Sequence, residues 1–316
     1  MLLDSRRLLY FLRIAEFESF SQAAKSLHIA QPALSHHVRQ LEESLGVSLF
    51  NRRSRGITLT EEGTALLHHA RSIVSRIEDA ENELRNRTLE VTGSITLGLA
   101  SSIAAPLTPL LLNSVHSKHK GITLHLVEGT SAALAEWVIS ERLDMALNLE
   151  DVVEHRCMPL FNEDLYLVGP AGAFANDGAT QISFKAATLR PLMLPARHHS
   201  MRMLIEREAV KRTLTIKTAY EIDGHGPLKA AIAAGFGHSI LSWAAIQQEC
   251  AAGLLSAARI VRPSLRRTMV LDMPTRGQPS RASLAIRTIL HEIIAELFRS
   301  KTWHGQLRFQ PGTSSE

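Results

Sequence analysis

A chain of 316 residues is too long for one ordinary core and suits two or three domains. With 45% hydrophobic and 21% charged residues it is composed as a folded protein rather than a disordered one, and it has no uncharged apolar run long enough to span a bilayer. The formal charge of +4 permits an anionic partner without requiring one.

The opening residues run into Arg13, Glu16 and Glu18, which is unlike a secretory signal. The expectation is a cytoplasmic protein in which the two distant cysteines, Cys157 and Cys250, stay reduced and mostly buried. Leu8, Phe11, Leu12 and Ala15 repeat at helical spacing and predict a first helix with one buried stripe. Ser19 and Gln22 fit a capping box that starts a second helix, with Ala23, Ala24 and Leu27 facing inward. After a turn at His28–Ala30, Pro32 suits the first turn of a third helix. Leu34, Val38, Leu41 and Leu45 form its buried stripe and Gly46 stops it. Two helices crossing closely through small alanines describe a helix-turn-helix. The other face of the third helix carries Gln31, Ser35, His36, Arg39 and Gln40, groups able to read base edges in a major groove. A merely solvated helix face is the competing reading.

Two short extended pieces follow around Asn51-Arg-Arg-Ser-Arg-Gly56. Arg52, Arg53 and Arg55 crowd this turn without an acid nearby, either as a solvated loop or as contacts to a nucleic-acid backbone. Beside the third helix the second choice gains weight, and the pieces read as a wing. Ser21-Gln-Ala-Ala-Lys-Ser-Leu27, Gln31-Pro-Ala-Leu-Ser35, Leu41-Glu-Glu43, Leu45-Gly46, Leu49-Phe50 and Leu59-Thr-Glu-Glu-Gly63 together resemble the DNA-binding domain of LysR-type transcriptional regulators. The resemblance implies that Gln31, Pro32, Ser35, His36 and Arg39 face DNA and that a wing arginine anchors its backbone. The pair His36-His37 departs from the fixed donors of many relatives, since a neutral imidazole offers one donor and one acceptor.

From Thr60 a helical pattern runs to about Arg87, with Leu66, Ala70, Ile73, Ile77, Ala80 and Leu84 at alternating steps of four and three. That is a heptad seam, roughly 40 Å long, expected to pair with a second chain. The alternative is one amphipathic helix packed on its own domain. Thr92-Gly93-Ser94 closes it.

Beyond lies an alternation of strands and helices: a strand at Ser94–Ala100, a helix at Ile103–Val115, strands near Ile122–Val127 and Asp144–Leu147, and a second set from Asp164–Val168 through Ser239–Leu241. A strand at Thr268–Leu271 and a helix at Ser283–Phe298 are expected to return to the first lobe. The fold class is therefore α/β, with an all-α-dominated winged helix-turn-helix at the N-terminus. Two C-terminal α/β lobes crossed twice by the chain resemble periplasmic-binding-protein architecture and the sensor half of LysR-type regulators. The expected division is 1–60 for DNA, 61–91 as the dimerising linker, 92–300 as the effector domain, and 301–316 as a disordered tail.

Ligands of open α/β sheets sit beyond strand C-termini at helix starts, where amides favour anions. Ser101, Ser102, Thr130, Ser131, Asn148, the run His198, His199 and Ser200, and His225 fall at such places. Each Ser or Thr alone reads as a helix cap, but together they suggest one cleft. The expected partners are double-stranded DNA, a small-molecule effector (a carboxylate or other anion), and further copies of the chain as a dimer or tetramer. RNA polymerase is allowed as another partner, and no membrane is expected. No cofactor, metal or catalytic set is expected: the histidines cluster as adjacent pairs, His291-Glu292 lacks a second His at zincin spacing, and Gly224-His-Gly226 lacks the third glycine of a dinucleotide loop. The competing functions are an effector-independent DNA binder with an inert sensor, and an α/β binding protein or enzyme.

Overall fold

The computed structural model describes residues 4–53, 56–85, 91–150, 157–174, 180–275 and 278–310, and divides into two units, Met1–Ser94 and Ile95–Glu316. In the first unit, Asp4 accepts from the Arg6 amide and starts α1 (Ser5–Phe17), which buries Leu8, Phe11 and Ile14. Ser19 accepts from the Gln22 amide at 3.3 Å and starts α2 (Phe20–Ser26). α3 (Gln31–Leu45) buries Leu34, Val38 and Leu41, and ends where Gly46 takes a left-handed φ of 73°. An antiparallel hairpin follows, β1 (Phe50–Arg53) on β2 (Gly56–Leu59), with Arg52 opposite Ile57.

Thr60 then turns the chain. Its hydroxyl donates to the Ser48 carbonyl at 2.7 Å and accepts from the Gly63 amide at 2.9 Å, opening α4 (Glu61–Arg85). Gly63 is required by close approach, because a Cβ there would lie 2.1 Å from the Leu49 carbonyl oxygen. The first half of α4 packs on α1. Ala70 is fully buried in the core of its own unit, with Leu66 and Ile73 half-buried against it. Within the chain, Ala70 is thus taken up by its own unit, while Leu66 and Ile73 are only partly covered. Ile77, 38% exposed, and Ala80 remain open, and the side chain of Leu84 lies outside the described residues.

The second unit is built on β3 (Gly93–Ala100), α5 (Ser101–Lys118), β4 (Ile122–Gly129), α6 (Ser131–Ile139) and β5 (Met145–Leu149), with β3 parallel to β5. The 13-residue β6 (Met158–Pro170) then passes from one lobe to the other. Short elements fill the second lobe: β7 (Gln181–Ser183), α7 (Phe184–Thr188), β8 (Leu192–Leu194), α8 (Ser200–Val210), β9 (Thr218–Glu221), α9 (His225–Ala233), β10 (Ser239–Ser242), α10 (Trp243–Ala251) and β11 (Leu255–Val261). The chain returns through β12 (Arg266–Asp272), antiparallel to both β5 and the first half of β6, and α11 (Arg281–Arg299) covers that lobe. In the second half of β6, Leu165 and Leu167 enter one core, while Tyr166 and Val168 enter another on the opposite face.

The tail differs from expectation. Trp303, only 3% exposed, packs on Phe161 at 5.4 Å and Phe298 at 6.4 Å between ring centroids. β13 (Gly305–Leu307) adds to the free side of β6, placing Gly305 opposite Glu163 and Leu307 opposite Phe161. His304 stacks on Trp243 and shares a 2.7 Å hydrogen bond with the Tyr166 hydroxyl. Residues 301–310 are thus a packed strap, held by apolar and aromatic side chains that a polar average conceals, and 311–316 lie outside the described residues.

Candidate nucleic-acid interface and sensor cleft

The outward side of α3 is set by what its inward side buries. With Leu34, Val38 and Leu41 in the core, Gln31, Pro32, His36 and Arg39 are exposed and Ser35 and Gln40 half-buried. The Gln31 amide donates to the Ser35 hydroxyl at 2.9 Å, so the two are held as one polar unit one turn before Arg39. His37 behaves differently from its neighbour, because its ring leans on Tyr10 at 5.2 Å and is partly drawn into the domain. Glu42 accepts from the Leu49 amide at 2.7 Å and the Phe50 amide at 3.4 Å, fixing the hairpin to α3. Arg52 and Arg53 lie on β1 of that hairpin, while Arg55 falls outside the described residues. Gln31, Pro32, Ser35, His36 and Arg39 therefore share one helix face, with a basic hairpin tied to the same helix.

In the second unit, α5 begins at Ser101 itself, earlier than expected, and Ser101 and Ser102 are first-turn residues rather than caps. Ser101 donates to the Gly129 carbonyl at 3.3 Å, linking α5 to the end of β4. Thr130 is a true cap, accepting from the Ala133 amide at 3.4 Å. Asn148 is fully buried and committed to the backbone, donating to the Ser131 carbonyl at 3.0 Å and accepting from the Leu149 amide. Ser101 and Asn148 thus both bond to the backbone of the Gly129–Ser131 turn in the first lobe. In the other lobe His198 is exposed, and His199 caps α8 by accepting from the Met201 amide through Nδ1. The hydroxyl of Ser200 is buried with no hydrogen-bond partner among the described residues. Asp223 accepts from the Ala196 amide and thereby holds the segment before α9, where His225 begins, against the loop that follows β8.

The sequence reading missed a buried ion pair that joins the two lobes. Arg267 is 6% exposed; it donates to Ser102 Oγ at 2.7 Å and Ser242 Oγ at 2.9 Å through Nη2, and pairs closely with Glu163, which is 3% exposed. One guanidinium thus ties the start of α5 in the first lobe to the end of β10 in the second. Burial pushes the Glu163 carboxyl up, opposed by the charge and hydrogen bonds of Arg267. Burial also lowers His199, and it lowers His225 to about 4, with the Arg267 charge adding to the effect at both. The signal was present in the strand. Leu265, Arg267, Met269 and Leu271 alternate inward, so a charge occupies a core-facing position.

Both cysteines are half-buried and free, and burial raises both thiols. Residues 5–64 match the family model of the bacterial regulatory helix-turn-helix protein, lysR family, and residues 89–295 match that of the LysR substrate binding domain. The nitrogen assimilation regulatory protein nac of Escherichia coli (strain K12) is 33% identical over 305 residues, covering 95% of this chain and 99% of that one. The transcriptional regulator BbuR of Bordetella bronchiseptica is 30% identical over 307 residues, covering 96% and 93%. Among solved structures, a full-length OxyR variant from Pseudomonas aeruginosa superposes with a TM-score of 0.70 at 22% identity, covering 98% of this chain and 99% of that one. Full-length CbnR, solved with its target DNA, gives 0.63 at 22% identity, covering 93% and 99%. At these identities the two structures speak for the fold.

Proposed function

The chain belongs to the LysR family of transcriptional regulators, with a helix-turn-helix for DNA and a sensor domain for an effector, and we propose that α3 reads base edges while the β1–β2 hairpin holds the duplex backbone. The observation that carries this reading is the single polar face of α3, where Gln31 and Ser35 are joined by a hydrogen bond and followed by an exposed Arg39. Arg52, Arg53 and Arg55 are the backbone contacts in this proposal. The test is fluorescence anisotropy on the DNA upstream of the protein's own coding region against random duplex, at two salt concentrations. Ser35→Ala costs about 1–3 kcal/mol of discrimination against the wrong base. Arg53→Ala instead weakens all duplexes alike and lowers the salt slope by about one. Equal losses of Ser35→Ala on both duplexes would remove Ser35 from base readout.

Self-association is assigned to the distal half of α4. Ile77 and Ala80 keep heptad spacing and are exposed, unlike Ala70. Ile77→Asp is expected to give a lighter particle in multi-angle light scattering with DNA-unit folding intact, and an unchanged mass would refute the seam. A dimer or tetramer in the cytoplasm, acting beside RNA polymerase and without enzymatic activity, completes the proposal; the relatives named as regulators support the last of these.

The effector site is proposed in the cleft at the starts of α5, α6, α8 and α9, where Ser101, Ser102, Thr130, Ser131, Asn148, His198, His199, Ser200 and His225 fall. A second reading, an inert sensor, has one observation in its favour. The Arg267–Glu163 pair is already satisfied inside the protein, as it would be in a cleft with no ligand to receive.

A further inference from the structure

We infer that the C-terminal strap is a latch across the hinge of the second unit: anchored on the first lobe, it grips the second through the side chain of His304 and so fixes the angle between them. The inference concerns the hinge alone and holds whatever the cleft receives.

The lobes are joined where β6 passes from one to the other and where β11 leads into β12. Along β6 the change of lobe falls between Asp164 and Leu165. Up to Asp164 the strand pairs with β12, and from Leu165 onward it pairs with β10 and β11. The strap crosses that same point. On the first lobe it is held along its length. β13 is paired with β6 over Phe161–Glu163, and the Arg308 amide donates to the Leu160 carbonyl at 2.8 Å. Trp303 is buried on Phe161 and Phe298, and Phe309 stacks on His291 of α11 at 4.5 Å. At the crossing itself the Asp164 amide donates to the His304 carbonyl at 3.2 Å. The His304 side chain then leaves its own lobe. It shares the 2.7 Å hydrogen bond with Tyr166 and lies on Trp243, with ring centroids 4.9 Å apart and planes inclined by 28°. Tyr166 belongs to the second-lobe half of β6, and Trp243 is the first residue of α10.

Anchor and latch differ in kind. Trp303 is buried, whereas His304 is half-buried. Burial pushes the Tyr166 phenol up to about 12, so it keeps its proton and donates; burial lowers His304, whose neutral ring accepts at Nδ1. One neutral hydrogen bond and one stacked ring pair break without emptying a core. The strap is therefore able to stay on the first lobe while its grip on the second is made or released. The grip is well placed. Ser242, the residue before Trp243, is already tied to the first lobe by Arg267, and α5 packs on α10. A single tie leaves the start of α10 free to turn about it, and a second at the adjacent residue removes that freedom. Two-lobed domains move by bending at a few crossing residues. Here such bending first has to part His304 from Tyr166 and Trp243.

Pulsed electron paramagnetic resonance on the full chain measures the angle as a distance. Spin labels go on Thr288→Cys in α11 of the first lobe and Lys185→Cys in α7 of the second, both exposed positions, in a Cys157→Ala/Cys250→Ala background. Dilution with unlabelled chain restricts the signal to distances within one molecule. The expected result is one narrow distance with the strap intact. His304→Ala, which keeps Trp303 and β13, at least about doubles the width of that distribution or adds a second distance. Tyr166→Phe removes the hydrogen bond alone and widens it less. Phe309→Ala loosens the strap only within the first lobe and leaves it narrow. A distribution unchanged in both His304→Ala and Tyr166→Phe overturns the inference, and so does a broad one with the strap intact. Equal widening in Phe309→Ala overturns it as well, because the angle would then follow the general packing of the strap. Should His304→Ala fail to fold, Tyr166→Phe decides alone, and an unchanged width there is the overturning result.

Discussion

Arg267→Met alone is expected to cost the second unit about 3–5 kcal/mol in urea unfolding, and adding Glu163→Gln is expected to return most of the loss. The asymmetry is physical. The single substitution leaves a carboxylate 3% exposed without its counter-charge, and removes the donor that Ser102 and Ser242 both accept. The double substitution removes the charge as well as the cation, and a pair of neutral groups of similar volume is far cheaper to bury. The single variant also carries a pH signature. Burial already raises the Glu163 carboxyl, and without Arg267 nothing of equal strength opposes that rise. A group whose folded value is raised contributes stability below its unfolded value, about 4.3, and loses it as pH rises through the folded value. Arg267→Met should therefore be weaker at about pH 8 than at about pH 5, relative to wild type. Equal stability of single and double variants would mean that Glu163 is not held by Arg267 in solution.

The parts of this protein that were legible in its sequence are those fixed by local pattern. The stripe of α3, the Ser19 cap and the stop at Gly46 depend on neighbours a few residues away, and each stands where the sequence reading put it. A stripe alone does not identify its partner. Heptad spacing in α4 reports an apolar stripe, but the stripe is indifferent to whether α1 or a second chain covers it, and at Ala70 α1 does. The cleft shows the same limit. The helix starts were readable one by one, while Arg267 and Glu163 meet only because β12 and β6 pair across 104 residues of sequence. The inward position of Arg267 in its strand was nonetheless a local clue, lost because the strand was begun two residues late, at Thr268. In the tail, a run ending in Pro311-Gly-Thr-Ser-Ser-Glu outweighed Trp303, Leu307 and Phe309, whose partners lie on β6 and α11.

That strap supplies the other large effect. Trp303→Ala is expected to destabilise the second unit by about 3–5 kcal/mol, the usual cost of emptying a buried aromatic site. The indole fills the angle between Phe161 and Phe298. Its ring nitrogen, however, is buried with no hydrogen-bond partner among the described residues, so the indole N–H is a liability rather than a tie. Trp303→Phe should for that reason cost under about 1.5 kcal/mol despite the lost volume, as a shape change that relieves an unsatisfied donor. Gly305→Ala probes the same strap through the backbone. Gly305 has φ of 145°, and a Cβ there would stand 1.9 Å from the Asn162 carbonyl oxygen, so β13 must leave β6 to admit it. Since β13 flanks Glu163 on the side opposite Arg267, its departure exposes the edge of the strand that carries the cleft's carboxylate. Hydrogen exchange should then quicken at Asn162 and Asp164, whose amides face the strap, in both Trp303→Ala and Gly305→Ala, and stay near wild type in Trp303→Phe. A Trp303→Ala protein within about 0.5 kcal/mol of wild type, with slow exchange at those amides, would show that the strap only rests on the sheet it covers.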